Sequence, residues 1–135
     1  MAERLRLEVV TPSRRVLAGS AQEVRIPGAL GELGILPGHT PLLTSLGTGQ
    51  VQWTDGETNG RLVVQGGFAE VQPDAVTVLA TVAETIDQID VEAARGALSD
   101  AQEALKNASA ENFEEIDAAV RLAEAQIEAA TGGTS

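Results

Sequence analysis

Apolar and polar residues alternate with a period of two along most of the chain up to residue 86. Leu5, Leu7 and Val9 alternate with charged neighbours, and later segments repeat the pattern. The segments are 4–9, 23–26, 50–54 and 76–82, and in the last of them Val76, Val78, Ala80 and Val82 share one face. One apolar face and one polar face are typical of antiparallel strands that cover a core on one side.

Turn-forming pairs of residues recur between these segments. They are Thr11-Pro12, Pro27-Gly28, Pro37-Gly38, Asp55-Gly56 and Pro73-Asp74. Asp55-Gly56 is a candidate for a tight hairpin, although Asn59-Gly60 lies close enough to make that loop longer. Many short strands separated by such turns predict a β-sandwich or a flattened barrel.

Near residue 87 the pattern changes to apolar residues spaced alternately three and four apart. The two runs are Val91, Ala94, Leu98, Ala101, Leu105 and Ala108, then Phe113, Ile116, Val120, Ala123, Ile127 and Ala130. Each run predicts a helix of about 18 residues with one apolar seam. Asp90 is expected to cap the first helix, and Asn112 followed by Glu115 resembles a capping box for the second.

The chain therefore divides into two parts. All five prolines and eleven of the 14 glycines lie before residue 87, and the later part is rich in Ala and Glu. Only a tight reversal fits between the two helices, so their seams should meet. The prediction is an α+β protein with an N-terminal antiparallel β-sandwich in residues 1–86 and a C-terminal antiparallel two-helix hairpin in residues 87–135.

Charge and composition exclude several functions. Nine basic and 20 acidic residues give a net charge of −11. Nucleic acids and anionic membrane surfaces need a basic face, so neither is an expected direct partner. Without Cys and with one His, no metal site is predicted. The apolar run 76–83 is too short to span a membrane, and the charged start of the chain does not resemble a signal peptide.

No set of catalytic residues is visible either. The single His, His39, lies in the rigid sequence Pro-Gly-His-Thr-Pro, and the single Lys is Lys106, outside any phosphate-binding loop. No two carboxylates are singled out by their spacing. A free-standing hydrolase or transferase needs a nucleophile, a base and an oxyanion stabiliser, so this alternative is disfavoured and no catalytic residue is assigned.

Three stretches carry a specific resemblance to a known family. Residues 24–44 read VRIPGALGELGILPGHTPLLT, residues 66–71 read GGFAEV and are followed by VTVLA at 76–80, and Ile89-Asp90 opens the helical part. Together they resemble the epsilon subunit of F-type ATP synthases from about Arg4 to Ala130. The first stretch is highly specific, whereas an Ala-rich hairpin alone would be weak support.

The resemblance implies a non-catalytic subunit of the central stalk, without a cofactor. Such a subunit holds the foot of the gamma subunit, sits on the ring of c subunits and couples proton flow to ATP synthesis. In many bacteria its helices also restrain ATP hydrolysis through the alpha and beta subunits. The expected location is peripheral, on the cytoplasmic face of the bacterial membrane, or on the stromal face of the thylakoid in a plastid.

The resemblance also implies two sets of contact residues. The c-ring contact falls on Gly31, Glu32 and Gly34, and the gamma contact falls on His39, Thr40, Pro41, Leu42 and Leu43. Each set has a plainer interpretation. Glu32 is expected at the tip of a turn, where a carboxylate is often merely solvated. Of Leu42 and Leu43, at least one is expected in the core.

The hairpin departs from the pattern of members that bind ATP. Those members carry Ile-Asp-x-x-Arg-Ala, and here Ile89 and Asp90 match while Ala93 replaces the Arg. Arg95 lies two positions later, rotated by roughly 200° around the helix. Leu122 and Gln126 stand where ATP-binding members have Arg. A triphosphate needs cationic donors, so an ATP-sensing regulator is the second hypothesis and no ATP site is assigned.

Overall fold

The computed structural model describes residues 4–132. The ends of the two predicted domains, residues 1–3 and 133–135, lie outside this range. The strands are β1 Leu5–Val10, β2 Arg15–Ala21, β3 Glu23–Gly28, β4 Gly31–Ile35, β5 Leu42–Ser45, β6 Thr48–Asp55, β7 Thr58–Gln72 and β8 Ala75–Thr85. A 3₁₀ turn at Ile86–Gln88 leads into the helices α1 Val91–Leu105 and α2 Phe113–Ala130.

The strands form one sheet that folds over on itself. Its order is β2-β1-β8-β7-β6-β3-β4, with β5 paired to β7. This confirms the predicted sandwich, with one difference. The pairing of β1 with β8 is parallel. β8 lies between β1 and β7 and runs antiparallel to β7. The other pairings are antiparallel.

The two long strands, β7 and β8, belong to both layers of the sandwich. Their alternation reverses at Gly66 and Gly67, whose φ angles are +71° and +98°. Leu62 and Val64 are fully buried before this point and Ala69 after it, so even-numbered residues of β7 face the core first and odd-numbered residues later. Glycine allows this corner because positive φ costs it little.

The corner overturns one expectation about β8. Val82 does not continue the buried face of Val76, Val78 and Ala80. It lies opposite Gln65 on the outer face and is half-buried, whereas Ala83, opposite Val64, is turned to the core. The two-residue alternation predicted from sequence does not extend through a bend where both strands change layers.

The predicted turn at Asp55-Gly56 is tight. Asp55 pairs with Thr58, so the loop contains only Gly56 and Glu57. Gly56 has a φ of +66°, the left-handed conformation that such two-residue hairpins favour. Asn59-Gly60 belongs to β7 and does not lengthen the loop.

The helices form the predicted antiparallel hairpin, with differences at their ends. Asp90 caps α1 by accepting from the backbone N–H of Ala93 at 3.1 Å, as expected. However, α1 has 15 residues and ends before Ala108. Asn112 precedes α2 without a capping box, because its side-chain oxygen accepts from Ser109 in the connecting turn instead.

The hairpin lies on the sandwich as a third layer. α2 packs on β6 and β7, and α1 packs chiefly on α2. The buried residues of α1 are Ala94 and Ala101. α1 therefore buries little apolar area, and α2 is the element that attaches the hairpin to the sheet.

Candidate partner-binding surfaces

Glu32 lies within β4 and not at the tip of the turn, which corrects the expectation from sequence. The tip is formed by Ala29 and Leu30, and the side chain of Leu30 is fully exposed. The Glu32 carboxylate turns across the sheet to Arg25, with Oε1 3.6 Å from Nη1. Arg25 is shared with Glu23, whose Oε2 lies 3.7 Å from its Nε. Both ion pairs are loose and partly exposed, so a partner could compete for either carboxylate.

The other two residues of the predicted c-ring contact leave backbone exposed beside Glu32. Gly31 has a φ of +140°, and the position of its side chain is open. Gly34 lies opposite Arg25 and is also exposed. A Cβ on the neighbouring Gly28 would lie 2.7 Å from the carbonyl oxygen of Gly31, so this hairpin needs glycine to close. The result is a shallow glycine-lined groove with Glu32 at its edge.

The predicted gamma contact begins in a loop that is held from two sides. The backbone N–H of Gly38 donates to the carbonyl of Pro73 at 2.7 Å, which ties the loop to the turn between β7 and β8. The His39 ring nitrogen Nδ1 donates to the carbonyl of Thr40 at 2.7 Å. Thr40 and Pro41 are exposed and His39 is half-buried. His39 thus shapes the loop and presents the residues that follow.

Leu42 and Leu43 are both exposed, so the expectation that one of them belongs to the core is wrong. The exposed fractions are 38% and 68%. Both lie in β5, a four-residue strand that pairs with β7 alone. Such a short edge strand covers little of either side chain, and a leucine exposed to this degree is available to a partner.

Leu43 belongs to an apolar stripe that the sequence analysis missed. The stripe lies on the outer face of the sheet and runs from Phe68 in β7 through Leu79 to Val10 in β1. Leu43 lies at its edge, diagonal to Phe68, because Leu43 pairs with Glu70 and Phe68 pairs with Ser45. Phe68 is 53% and Leu79 is 49% exposed, and these two residues pair directly. Val10 pairs with Leu79. The stripe was hidden because Phe68 lies just beyond the Gly66–Gly67 corner, where the strand changes faces. Large apolar side chains exposed together on one face indicate an interaction surface.

The two predicted contact sets lie on different faces of the sandwich. Leu43 is on the apolar outer face, whereas Glu32 and Arg25 are on the polar outer face of β3 and β4. A protein with two such unlike faces can bind two unlike partners at the same time.

The hairpin offers little to a triphosphate. Each of its three cations pairs with a carboxylate about one helical turn earlier: Arg95 with Glu92, Lys106 with Glu103 and Arg121 with Asp117. In the last pair the hydrogen bond and the charge of Asp117 raise the pKa of Arg121.

Leu122 and Gln126 of α2 are both in contact with the sheet side of the protein. Leu122 and Ile89 both pack against a small apolar cluster that contains Val63. Gln126 donates to the Glu84 carboxylate at 2.5 Å. Both α2 positions that carry Arg in ATP-binding members are therefore engaged with the protein itself.

A separate cavity of about 710 Å³ opens at one end of the sandwich, beside Trp53. Its apolar wall includes Leu17, Leu62 and Ile86, and its rim carries charges of both signs. Within residues 4–132, no three His, Cys, Asp or Glu side chains come close enough together to hold a metal ion.

Comparison with known proteins decides the family. Residues 4–86 match the family model of the beta-sandwich domain of the ATP synthase delta/epsilon chain. The chain belongs to this family. An ATP synthase epsilon chain of Geotalea uraniireducens is 45% identical over 130 residues, which cover 96% of this chain and 91% of the relative. That of Geobacter sulfurreducens is 42% identical over the same shares.

A solved structure agrees with the epsilon fold. A chain in the cryo-EM structure of the Euglena gracilis mitochondrial ATP synthase, which contains OSCP, F1 and the c-ring, superposes with a TM-score of 0.83 at 23% identity. The match covers 96% of this chain and 82% of the other. Family membership confirms the expected non-catalytic subunit. Neither described helix is long and apolar enough to cross a membrane.

Proposed function

We propose that this epsilon chain is a rotor subunit of the central stalk, in which the sandwich joins the gamma subunit to the c-ring. It would work at the cytoplasmic face of a bacterial membrane, held there by partner proteins. The proposal is supported by the relatives, by the ATP synthase assembly that contains the matching fold, and above all by the apolar stripe. A stripe with Leu43 at its edge needs a permanent apolar partner, which fits a stalk subunit better than a freely diffusing one.

The apolar stripe is the proposed gamma-binding surface, together with the loop 39–43. Burying a leucine side chain contributes roughly 1.5–3 kcal/mol. We therefore expect Leu43→Glu to weaken binding to gamma by about ten- to one-hundred-fold, measured by copurification and by titration of the purified subunits. The unchanged chain should copurify with gamma as a stable complex.

Leu30→Glu is the matched control. It introduces the same charge at a leucine that is fully exposed at the tip of the β3–β4 hairpin and is not a member of the stripe. If Leu43→Glu binds gamma as well as the control does, the stripe is not the gamma surface. If the unchanged chain fails to copurify with gamma, the stalk assignment itself is wrong.

Glu32, with Gly31 and Gly34, is the proposed c-ring contact. The exposed backbone of the glycines admits close approach, and the carboxylate is held only loosely by Arg25 at 3.6 Å. Glu32→Lys should reduce ATP-driven proton pumping in membrane vesicles while changing the free energy of unfolding by no more than about 0.5 kcal/mol.

Glu23→Lys provides the comparison, because Glu23 is the other carboxylate beside Arg25 and is similarly exposed. Only the Glu32 change is expected to uncouple the enzyme. Unchanged pumping with Glu32→Lys would leave Glu32 a solvated carboxylate, and equal losses in both variants would indicate a general effect of charge on this face.

An ATP-sensing role is the competing hypothesis for the hairpin. The ion pairs of its three cations, the replacement of Arg by Ala93 and the packing of Leu122 all argue against it. Calorimetry of the full chain with ATP decides between the two: measurable binding heat would favour the sensor, and none is expected.

A further inference from the structure

Side chains on the sheet face beneath α2 donate hydrogen bonds to backbone carbonyls of that helix. Arg61, Val63 and Gln65 alternate along β7 and all face α2. Gln65 Nε2 donates to the carbonyl of Ala118 at 2.8 Å. The Arg61 guanidinium donates twice to the carbonyl of Ala129, from Nε at 3.0 Å and from Nη2 at 2.8 Å. Between these two contacts Val63 is fully buried in a small apolar cluster with α2.

The end of α2 has local caps but no cation of its own. The Thr131 N–H donates to the carbonyls of Ile127 and Ala129, and the Thr131 hydroxyl donates to the carbonyl of Ile127 at 2.7 Å. The first turn carries Glu114 and Glu115, which suit the positive end of the helix dipole. The last turn has no basic residue and carries Glu128, which opposes the negative end. Arg61, 68 positions away from Ala129 in sequence, places its charge at this end. Arg61 is half-buried, so the guanidinium is partly shielded from water.

We propose that Arg61 is a second, charged cap of α2, supplied by the sandwich in addition to the local cap at Thr131, so that docking of the hairpin and full ordering of the last two turns of α2 form a single step. A helix that leaves the sheet loses both guanidinium hydrogen bonds and keeps Glu128. Its end should then fray. This inference concerns the chain by itself and holds or fails independently of the proposed stalk function.

The proposal also describes the chemistry of any surface that receives the released hairpin. Such a surface would have to bring a cation to the end of α2, or else bind a helix whose last two turns are held only by the local contacts of Thr131 and Gly132. An apolar groove alone would satisfy the side chains of α2 and leave its final carbonyls without a charged donor.

The test is amide hydrogen exchange, resolved by NMR, on the full chain and on Arg61→Gln. Amides of residues 124–130 should exchange about ten- to one-hundred-fold faster in the variant, the range expected when a charge-assisted hydrogen bond is lost. Amides of β1 and β8 should keep their rates. Arg61→Lys, which keeps a cation and a donor, should fall between the two.

Two further variants separate a cap from a general charge effect. Arg25→Gln removes the same charge from the same row of the sheet, since Arg25 and Arg61 both pair with Gln52, and it should leave α2 unchanged. Glu128→Lys in the Arg61→Gln background gives α2 its own cation and should restore part of the protection in residues 124–130.

Three results would overturn the proposal. The first is equal exchange in Arg61→Gln and Arg25→Gln. The second is acceleration in β6 and β7 as large as in α2, which would make Arg61 a residue of the sandwich fold. The third is the absence of any restoration by Glu128→Lys.

Discussion

At the scale of the residue, Gly67 controls the corner where β7 and β8 change layers. Its φ is +98°, and a Cβ there would overlap the carbonyl oxygen of Leu79 and lie 2.9 Å from the Cα of Ala80. Both are backbone atoms, which cannot rotate away as the end of a side chain could. We expect Gly67→Ala to cost about 3 kcal/mol of unfolding free energy, combining backbone strain with overpacking. Thermal or urea unfolding of the variant measures this cost.

Gly19→Ala is the control for Gly67. Gly19 lies in the exposed strand β2 with nothing within 4 Å of its Cβ position. An alanine there should leave stability unchanged or raise it by up to about 1 kcal/mol, because glycine in a strand loses more entropy on folding. If both substitutions cost the same, the corner is more adaptable than its geometry indicates.

Single residues also show where sequence patterns stop being informative. Burial in β1 was predictable from alternation, because Leu5, Leu7 and Val9 lie in a strand without a bend. Arg61 and Gln65 looked like ordinary polar positions of a strand. Their partners are backbone carbonyls 68 and 53 positions away, and a carbonyl has no sequence signature.

At the scale of the element, α1 is the least supported helix. Its two buried residues are alanines, and it has a glycine at position 96 in an open environment. Gly96→Ala should therefore stabilise α1 by about 0.5–1 kcal/mol, since alanine has the higher helix propensity and no neighbour obstructs it.

Hydrogen exchange measures the effect of this change. The amides of α1 should be slowed by about two- to fivefold. Ser99→Ala, at an exposed position one turn further along α1, serves as a propensity control with a smaller expected gain. Faster exchange in Gly96→Ala would contradict this prediction and would indicate that Gly96 has a role that the docked conformation of α1 does not show.

The elements differ in how far they could be predicted. The two helices and their antiparallel contact followed from the three-and-four spacing, and the tight turn at Asp55-Gly56 was one of two predicted possibilities. The parallel pairing of β1 with β8 could not be predicted from alternation, which says which face is buried but not which strand lies alongside. The predicted capping box at Asn112 is wrong, because the Asn112 side-chain oxygen accepts a hydrogen bond from the backbone N–H of Ser109 in the preceding turn.

At the scale of the whole molecule, charge divides unevenly between the two parts. Residues 90–135 carry three basic and ten acidic residues, so −7 of the net −11 lies in this range and −4 in residues 1–89. Both parts are acidic. The hairpin is therefore poorly suited to acidic protein surfaces, and we propose that it restrains ATP hydrolysis only weakly.

Removal of the hairpin tests this proposal. In the assembled enzyme, a chain that ends at Glu84 should raise ATPase activity by less than about threefold over the full chain, or about 0.6 kcal/mol of barrier. The difference should shrink further at 0.01 M salt, where the Debye length reaches about 30 Å and like charges repel more strongly. A large activation that persists at low salt would show that apolar docking outweighs the charge.

The position of β8 determines how the molecule responds to a mechanical pull. β8 leads through the 3₁₀ turn into the hairpin, and it is bonded to β7 along its length and to β1 from Ala75 to Leu79. A force on the hairpin directed along β8 loads these two ladders in shear, so many hydrogen bonds resist it together. The contacts of α2 with the sheet can instead be peeled away one after another. Under load the hairpin should detach while the sandwich remains folded, because the contacts between α2 and the sheet break at a lower force than the strand pairings of β8.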